Sequence, residues 1–181
     1  MRLEKCQINP TELTRKNTSV FVIDMQHTYL QNIPEQRRGA LVNNIENILS
    51  TCIKKDIPTA IINKNGGGKM IKPLKEISAK IPRVAEFKKP SLSGFDNQYL
   101  LPKLEEWETE SVFLTGIYSG GCVRITAEDA IHHGKKIATA LDVLESPCHK
   151  IEELDRYWYD WNGLLLPSYE DLPLFNRISK Q

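Results

Sequence analysis

The sequence has few cysteines, little net charge and no long apolar segment, and each shortage excludes a class of protein. Its four cysteines, Cys6, Cys52, Cys122 and Cys148, are widely scattered and form no Cys-x-x-Cys pair. This spacing argues against a zinc knuckle or a disulfide framework and favours reduced thiols in a reducing compartment. The formal net charge is only +1 in 181 residues, so nothing indicates a nucleic-acid partner.

No apolar run approaches the length of a membrane span, so no membrane partner is expected. Residues 1–6 also lack the apolar stretch of a secretory signal peptide, which predicts a cytoplasmic location. Hydrophobic residues make up 40% of the chain and charged residues 26%, as in ordinary globular proteins. The length predicts one domain over residues 1–181 with a large core.

The chain alternates between short apolar runs and stretches with a helical period. Six strands are predicted, at Ser19–Asp24, Thr59–Asn63, Arg83–Phe87, Ser111–Thr115, Ile137–Asp142 and, as a short edge strand, Gly163–Pro167. Apolar spacings of three and four predict helices over residues 41–52, 101–107, 123–131 and 151–158. We therefore predict a Rossmann-like α/β fold of three layers, α/β/α, with a mostly parallel sheet of about six strands.

Cys122 stands where the fourth predicted strand gives way to a glycine-rich turn and a helix. Free backbone N–H groups and the helix dipole favour a thiolate there, and the same N–H groups can hold a developing oxyanion. Asp24 ends the first strand, and Lys88 and Lys89 follow the third. Because active sites in such sheets gather at the carboxyl ends of the strands, we expect these residue types to meet at one edge.

Three motifs at these strand ends occur in a characteristic order. The first is Asp24-Met-Gln26-His-Thr-Tyr29, and the second is Lys89-Pro-Ser-Leu-Ser-Gly-Phe95. The third is Gly116-Ile-Tyr118-Ser119-Gly-Gly-Cys122-Val123, in which Ser119 stands for a threonine. Together, over roughly residues 17–145, they resemble the isochorismatase-like cysteine hydrolases, a superfamily that includes nicotinamidases, N-carbamoylsarcosine amidases and isochorismatase.

This resemblance implies a catalytic set of Asp24, Lys89 and Cys122. Cys122 would attack an acyl carbon to form a thioester, with Asp24 as general base and later as general acid. Lys89 would hold positive charge beside both, favouring the thiolate and the ionised carboxylate. The resemblance also implies a cis peptide bond between Ile117 and Tyr118, which would turn the N–H groups of Tyr118 and Cys122 toward one oxyanion site.

Five further residues are candidates for the oxyanion site or for substrate binding. Tyr118 is the strongest because of its place in the turn, whereas Tyr29 and Phe95 are interpreted either as aromatic pocket walls or as core. Gln26 is expected to support Asp24, and Ser119 belongs to the same turn as Cys122.

The second strand is followed by a departure from the nicotinamidase pattern. Nicotinamidases bind a metal there through Asp-x-His, but this chain has Asn63-Lys-Asn65 and a glycine run, which is predicted to be a flexible loop. Because neither a carboxylate nor an imidazole is available, we predict no metal at this position and no cofactor, which weighs against nicotinamide as substrate.

The favoured hypothesis is a metal-independent cysteine hydrolase that cleaves a small amide or related C–N bond. Isochorismatases, which hydrolyse a vinyl ether, often lack the cysteine, so Cys122 favours an amide or acyl substrate. Ether hydrolysis with Asp24 as the acid remains an alternative, as does a non-catalytic member that binds a ligand or senses oxidation through Cys122. Relatives often form dimers or tetramers, so a homo-oligomer is also expected.

Overall fold

The computed structural model describes residues 5–147 and 153–176. The strands are β1 (Thr18–Ile23), β2 (Thr59–Lys64), β3 (Val84–Lys89), β4 (Ser111–Ile117), β5 (Lys136–Glu145) and β6 (Leu164–Leu166). They form one sheet in the order β3-β2-β1-β4-β5-β6, and every neighbouring pair is parallel. The predicted six-stranded α/β fold is confirmed, and each predicted strand is present within a few residues of its predicted bounds.

Helices cover both faces of this sheet. They are α1 (His27–Leu30), α2 (Glu35–Lys55), α3 (Lys72–Ser78), α4 (Leu100–Glu106), α5 (Arg124–His132) and α6 (Glu153–Asn162). The four predicted helices correspond to α2, α4, α5 and α6, although the predicted start of the last, at Ile151, lies outside the described residues, as does Cys148. Two further helices, α1 and α3, were not predicted, and α1 with its four residues is too short to show a helical period. None of the described helices is long and apolar enough to span a membrane.

The central strand β1 explains why the sheet strands lack polar alternation. Val20 and Val22 belong to the core on one face, whereas Phe21 and Ile23 belong to the core on the other. Successive side chains of a strand point to opposite faces, so a strand covered on both sides must be apolar throughout.

The strand order also determines where a site can form. β1 lies between β2 and β4, so the chain leaves β1 toward one edge of the sheet and later returns to its other side. Such a reversal opens a crevice beyond the carboxyl ends of the two strands, which is the usual binding place in open α/β sheets. Asp24 follows β1 and Cys122 follows β4, so both lie at this crevice.

Candidate active site

Asp24 is held in a strained conformation directly after β1. Its φ of 55° lies in the left-handed region, which costs a residue other than glycine about 1–3 kcal/mol. Its N–H group donates to the Ile62 carbonyl at 2.8 Å, and the Lys64 N–H donates to carboxylate Oδ1 at 2.9 Å. The carboxylate is therefore fixed in position through two bonds to β2.

Lys89 is the last residue of β3 and forms a buried ion pair with Asp24. Its Nζ lies 2.9 Å from Asp24 Oδ2, and both side chains are almost fully buried. The ammonium also donates to the Leu92 carbonyl at 2.7 Å, which supports the charge away from water. The preceding Lys88 is exposed, since successive strand residues point to opposite faces.

Cys122 contacts both members of this pair. The thiol is within hydrogen-bonding reach of Asp24 and of Lys89, and the residue is 6% exposed. Asp24 Oδ2 forms the ion pair with Lys89, but it accepts no well-aligned hydrogen bond from the described residues. That oxygen is thus available to accept the thiol proton.

The thiol pKa moves in the opposite direction from the sequence-based expectation. Burial, followed by the negative charge of Asp24, raises the pKa of Cys122 to about 11, against a smaller lowering effect of Lys89. The expectation of a thiolate in the substrate-free site was therefore wrong. Cys122 precedes α5 in a wide helical turn, Ser119–Val123, and loss of solvation there outweighs the favourable charges.

The turn that carries Cys122 is built without the expected cis peptide bond. The described residues contain no cis bond, so the predicted Ile117–Tyr118 isomer is wrong. The chain turns instead through Tyr118, whose φ of 64° is left-handed, and through Gly116 at φ 133°. A side chain at Gly116 would collide with the Ile23 carbonyl, so only glycine allows β4 to approach the end of β1 this closely.

Two tyrosines stand together beside the thiol. The rings of Tyr29 and Tyr118 meet edge to face with centroids 5.5 Å apart, and both side chains are half-buried. Burial, followed by the charges of Asp24 and Cys122, raises the pKa of the Tyr29 hydroxyl. The predicted pocket residues Tyr29 and Tyr118 therefore lie at the candidate site.

Gln26 lies behind Asp24 and fixes the loop that follows β2. Its amide donates to the carbonyls of Lys64 and Gly68 at 3.1 and 2.7 Å, and its Oε1 accepts the Lys64 N–H at 2.9 Å. The loop predicted to be flexible is thus tied to the end of β1. Since these bonds occupy the amide, its contacts match the supporting role expected of Gln26.

Ser119 and Phe95 lie away from an open pocket. Ser119 is 1% exposed, and its hydroxyl has no hydrogen-bond partner among the described residues. Phe95 packs on Phe21 in the core and on His133 at the far end of α5, with centroids 6.3 and 5.0 Å apart. Of the two interpretations given for Phe95, these contacts match core packing.

A set of residues on α5 and α6 near the nucleophile turn escaped the sequence analysis. The Tyr159 hydroxyl donates to the Ser119 carbonyl at 2.6 Å, and Tyr159 is 1% exposed. Arg124 stacks on Trp158 at 5.0 Å and pairs with Asp155 at 3.3 Å. The aromatic richness of residues 156–161 was visible in the sequence, but no local pattern shows that this helix covers the turn.

The residues at the carboxyl end of β2 do not suit a metal ion. Asn63 and Asn65 offer only amides, and the ammonium of Lys64 between them would repel a cation. Within residues 5–147 and 153–176, no group of three His, Cys, Asp or Glu residues is arranged to hold a metal.

Comparison with known proteins identifies the family of the chain. Residues 18–147 match the isochorismatase domain, so the chain belongs to the isochorismatase family, within the isochorismatase-like hydrolase superfamily. The chain is similar to isochorismatase family protein 2A of Dictyostelium discoideum, with 28% identity over 142 residues, 74% of this chain and 69% of that protein.

Two solved structures show the same fold at low sequence identity. A nicotinamidase from Staphylococcus aureus matches with a TM-score of 0.75 and 16% identity over 86% of this chain and 99% of that one. An N-carbamoylsarcosine amidase from Thermoplasma acidophilum matches with a TM-score of 0.68 and 16% identity over 91% and 99%. At these identities the likeness shows the fold alone.

Proposed function

We propose that the protein is a metal-independent cysteine hydrolase that cleaves a small amide or related C–N bond through a thioester. The observation that carries the proposal is the buried cluster in which Asp24 lies 2.9 Å from Lys89 and Cys122 contacts both. The cysteine in this cluster favours attack on an amide or acyl carbon over ether hydrolysis, because a thioester intermediate needs a thiol nucleophile.

The first step is the attack of Cys122 Sγ on the carbonyl carbon. With a pKa of about 11, Cys122 rests as a thiol, so the S–H proton must leave as the C–S bond forms. Asp24 Oδ2 takes that proton, and Lys89 stabilises the negative charge that moves from the carboxylate to sulfur and oxygen. Because Asp24 already interacts with the Cys122 thiol, the thiol can lose its proton during the attack and need not be a thiolate at rest.

Asp24 next acts as a general acid with the proton that it took from the thiol. Asp24 returns it to the leaving nitrogen as the C–N bond breaks, which leaves the acyl group on Cys122 as a thioester. Water then attacks the thioester carbon and gives a proton to Asp24. The acid product departs as the C–S bond breaks, and Asp24 reprotonates the sulfur.

The oxyanion formed in both steps needs hydrogen-bond donors in the turn. The N–H groups of Gly121 and Val123 already donate to the Tyr118 carbonyl at 2.8 and 3.2 Å. The Cys122 N–H belongs to the same turn, directly before α5, and is the donor assigned to the oxyanion in this proposal.

Burial of the cluster supports a small substrate and argues against redox sensing. Asp24 and Lys89 are 0% exposed and Cys122 is 6% exposed, so a large acyl group would require rearrangement of the site. A buried thiol with a raised pKa also oxidises slowly, because oxidants react with exposed thiolates.

The test is a screen of small amides, with nicotinamide and N-carbamoylsarcosine among them, on the wild type and on Cys122→Ala. We expect turnover by the wild type, an acyl adduct on Cys122 detectable by mass spectrometry, and no turnover by the variant. Cys52→Ala is the matched control, since that thiol is fully buried on α2 away from the cluster. Full activity of Cys122→Ala combined with loss in Asp24→Asn would replace this mechanism with ether hydrolysis by Asp24.

A further inference from the structure

A second cleft opens beside the candidate active site, at the end of the sheet where β2 and β3 lie. Its volume is about 230 Å³, and its walls come from the loop after β2, from α3 and from β3. The charged residues that line it are Lys64, Lys69, Lys75, Lys88 and Glu86. Four cations thus face one anion in a protein whose whole formal charge is +1.

The positive charge of this cleft is not neutralised by the protein. Within residues 5–147 and 153–176, none of the four lysines pairs with a carboxylate within 4.0 Å. Lys64 donates to the Pro90 carbonyl, which leaves Lys69, Lys75 and Lys88 as exposed ammonium groups around the opening. Like charges around one concave surface create a local positive potential that attracts anions.

The cleft is preformed and lies next to the catalytic cluster without being part of it. Gln26 lines it and ties the loop to β1 through the Lys64 and Gly68 carbonyls. Lys88 is exposed, whereas its neighbour Lys89 is buried against Asp24. The Lys64 N–H, in turn, donates to Asp24 Oδ1.

We propose that this cleft binds an oxyanion, a phosphate or carboxylate group, at a place separate from the reacting acyl carbon. Lysines from a loop, a helix and a strand line this one cleft, which is the charge that a phosphate or carboxylate requires. The anion is either a group at the far end of the substrate or a free anion that acts on Asp24 through Lys64. Binding itself does not require turnover, so the proposal stands apart from the hydrolase assignment.

The first experiment is calorimetric titration of the full-length protein with pyrophosphate and with inorganic phosphate at constant ionic strength. We expect saturable binding that is weakened about a hundredfold in Lys75→Ala/Lys88→Ala, since each of the two lost contacts to a charged group is worth roughly tenfold. The matched control, Lys16→Ala/Lys80→Ala, removes the same charge from exposed lysines outside the cleft and should bind as the wild type does. Absence of saturable binding, or equal weakening in the control, would overturn the proposal.

A second measurement identifies the source of the anion. Hydrolysis of para-nitrophenyl acetate and mono-para-nitrophenyl glutarate is compared in the wild type and in the cleft variant. A substrate group is indicated if only the preference for the glutarate falls in the variant. A free anion is indicated if phosphate changes acetate hydrolysis in the wild type and has no effect in the variant.

Discussion

At the scale of single residues, Asp24 has two opposite effects on Cys122. Its charge helps to keep the thiol protonated, yet it is the group placed to remove the proton during attack. We predict that Asp24→Asn lowers the thiol pKa and speeds alkylation of Cys122 by iodoacetamide near pH 8, by roughly tenfold for each pH unit that the pKa falls. The same variant should lose turnover, because the general base is gone.

Mass spectrometry that separates the modified cysteines measures this effect. Buried Cys52, whose pKa is raised to about 12 by desolvation, serves as the internal reference and should react equally slowly in both proteins. An unchanged alkylation rate of Cys122 in Asp24→Asn would contradict the prediction by showing that the carboxylate does not control the thiol pKa, and slower alkylation would contradict it by showing that Asp24 activates the thiol at rest.

The Asp24–Lys89 pair also contributes to stability at the scale of residues. Lys89→Met leaves a buried carboxylate without its cation, so we predict a loss of about 3–5 kcal/mol in the free energy of unfolding. Asp24→Asn/Lys89→Met should recover most of this loss, because no buried charge remains. Urea unfolding followed by tryptophan fluorescence measures the free energy of unfolding of each variant in this double-mutant cycle. The control is Lys5→Met, which breaks the exposed Lys5–Asp160 pair and should cost less than about 1 kcal/mol. A loss no larger in Lys89→Met than in Lys5→Met would contradict the prediction.

At the scale of elements, α6 packs against the turn that carries Cys122. It lies beyond residues 18–147, which match the family, yet its Tyr159 hydroxyl holds the Ser119 carbonyl in the turn before Cys122. Asp155 lies so close to Gly120 that a side chain at that glycine would collide with its carboxylate. The helix therefore restrains the nucleophile turn from outside the segment that matches the family.

This contact leads to a prediction for Tyr159→Phe. Loss of the buried hydrogen bond should cost about 1–3 kcal/mol of stability, and the loosened turn should lower kcat roughly tenfold with little change in KM. Tyr157→Phe is the matched control on the same helix, since Tyr157 is 62% exposed and should leave both quantities unchanged. An unchanged kcat in Tyr159→Phe would limit α6 to a structural role.

The elements also show what the sequence can and cannot predict. Strand positions followed from β-branched runs, and the strand ends predicted that Asp24, Cys122 and a lysine would meet at one edge of the sheet. The family resemblance, rather than the strand ends, selected Lys89 over Lys88. The contact of Tyr159 with Ser119 joins residues 40 positions apart and has no local pattern. The direction of the Cys122 pKa was missed because the sequence reveals a helix start but not the burial that outweighs it.

At the scale of the whole molecule, the buried thiols link stability to pH. The pKa of Cys52 is raised from an ordinary 9.0 to about 12, and that of Cys122 to about 11. Above pH 9 the unfolded chain has released these protons while the folded protein still holds them. The stabilisation is thus complete below pH 9 and is lost as pH rises toward 11 and 12.

We therefore predict that the free energy of unfolding falls between pH 9.5 and 11 by about 1.4 kcal/mol per pH unit for each such thiol. This is a large fraction of the 5–15 kcal/mol typical of a folded domain, so alkali should unfold the protein cooperatively. Cys52→Ala lowers stability at every pH because it leaves a cavity. Above pH 9.5, however, its free energy of unfolding should fall less steeply with pH than that of the wild type, by about 1.4 kcal/mol per pH unit. Urea unfolding at four pH values measures the slopes, with Cys6→Ala as the control at a half-buried thiol. Equal slopes in the wild type and Cys52→Ala would mean that the Cys52 proton is not retained by folding, and that alkaline unfolding begins at other groups, such as the buried Tyr159 hydroxyl.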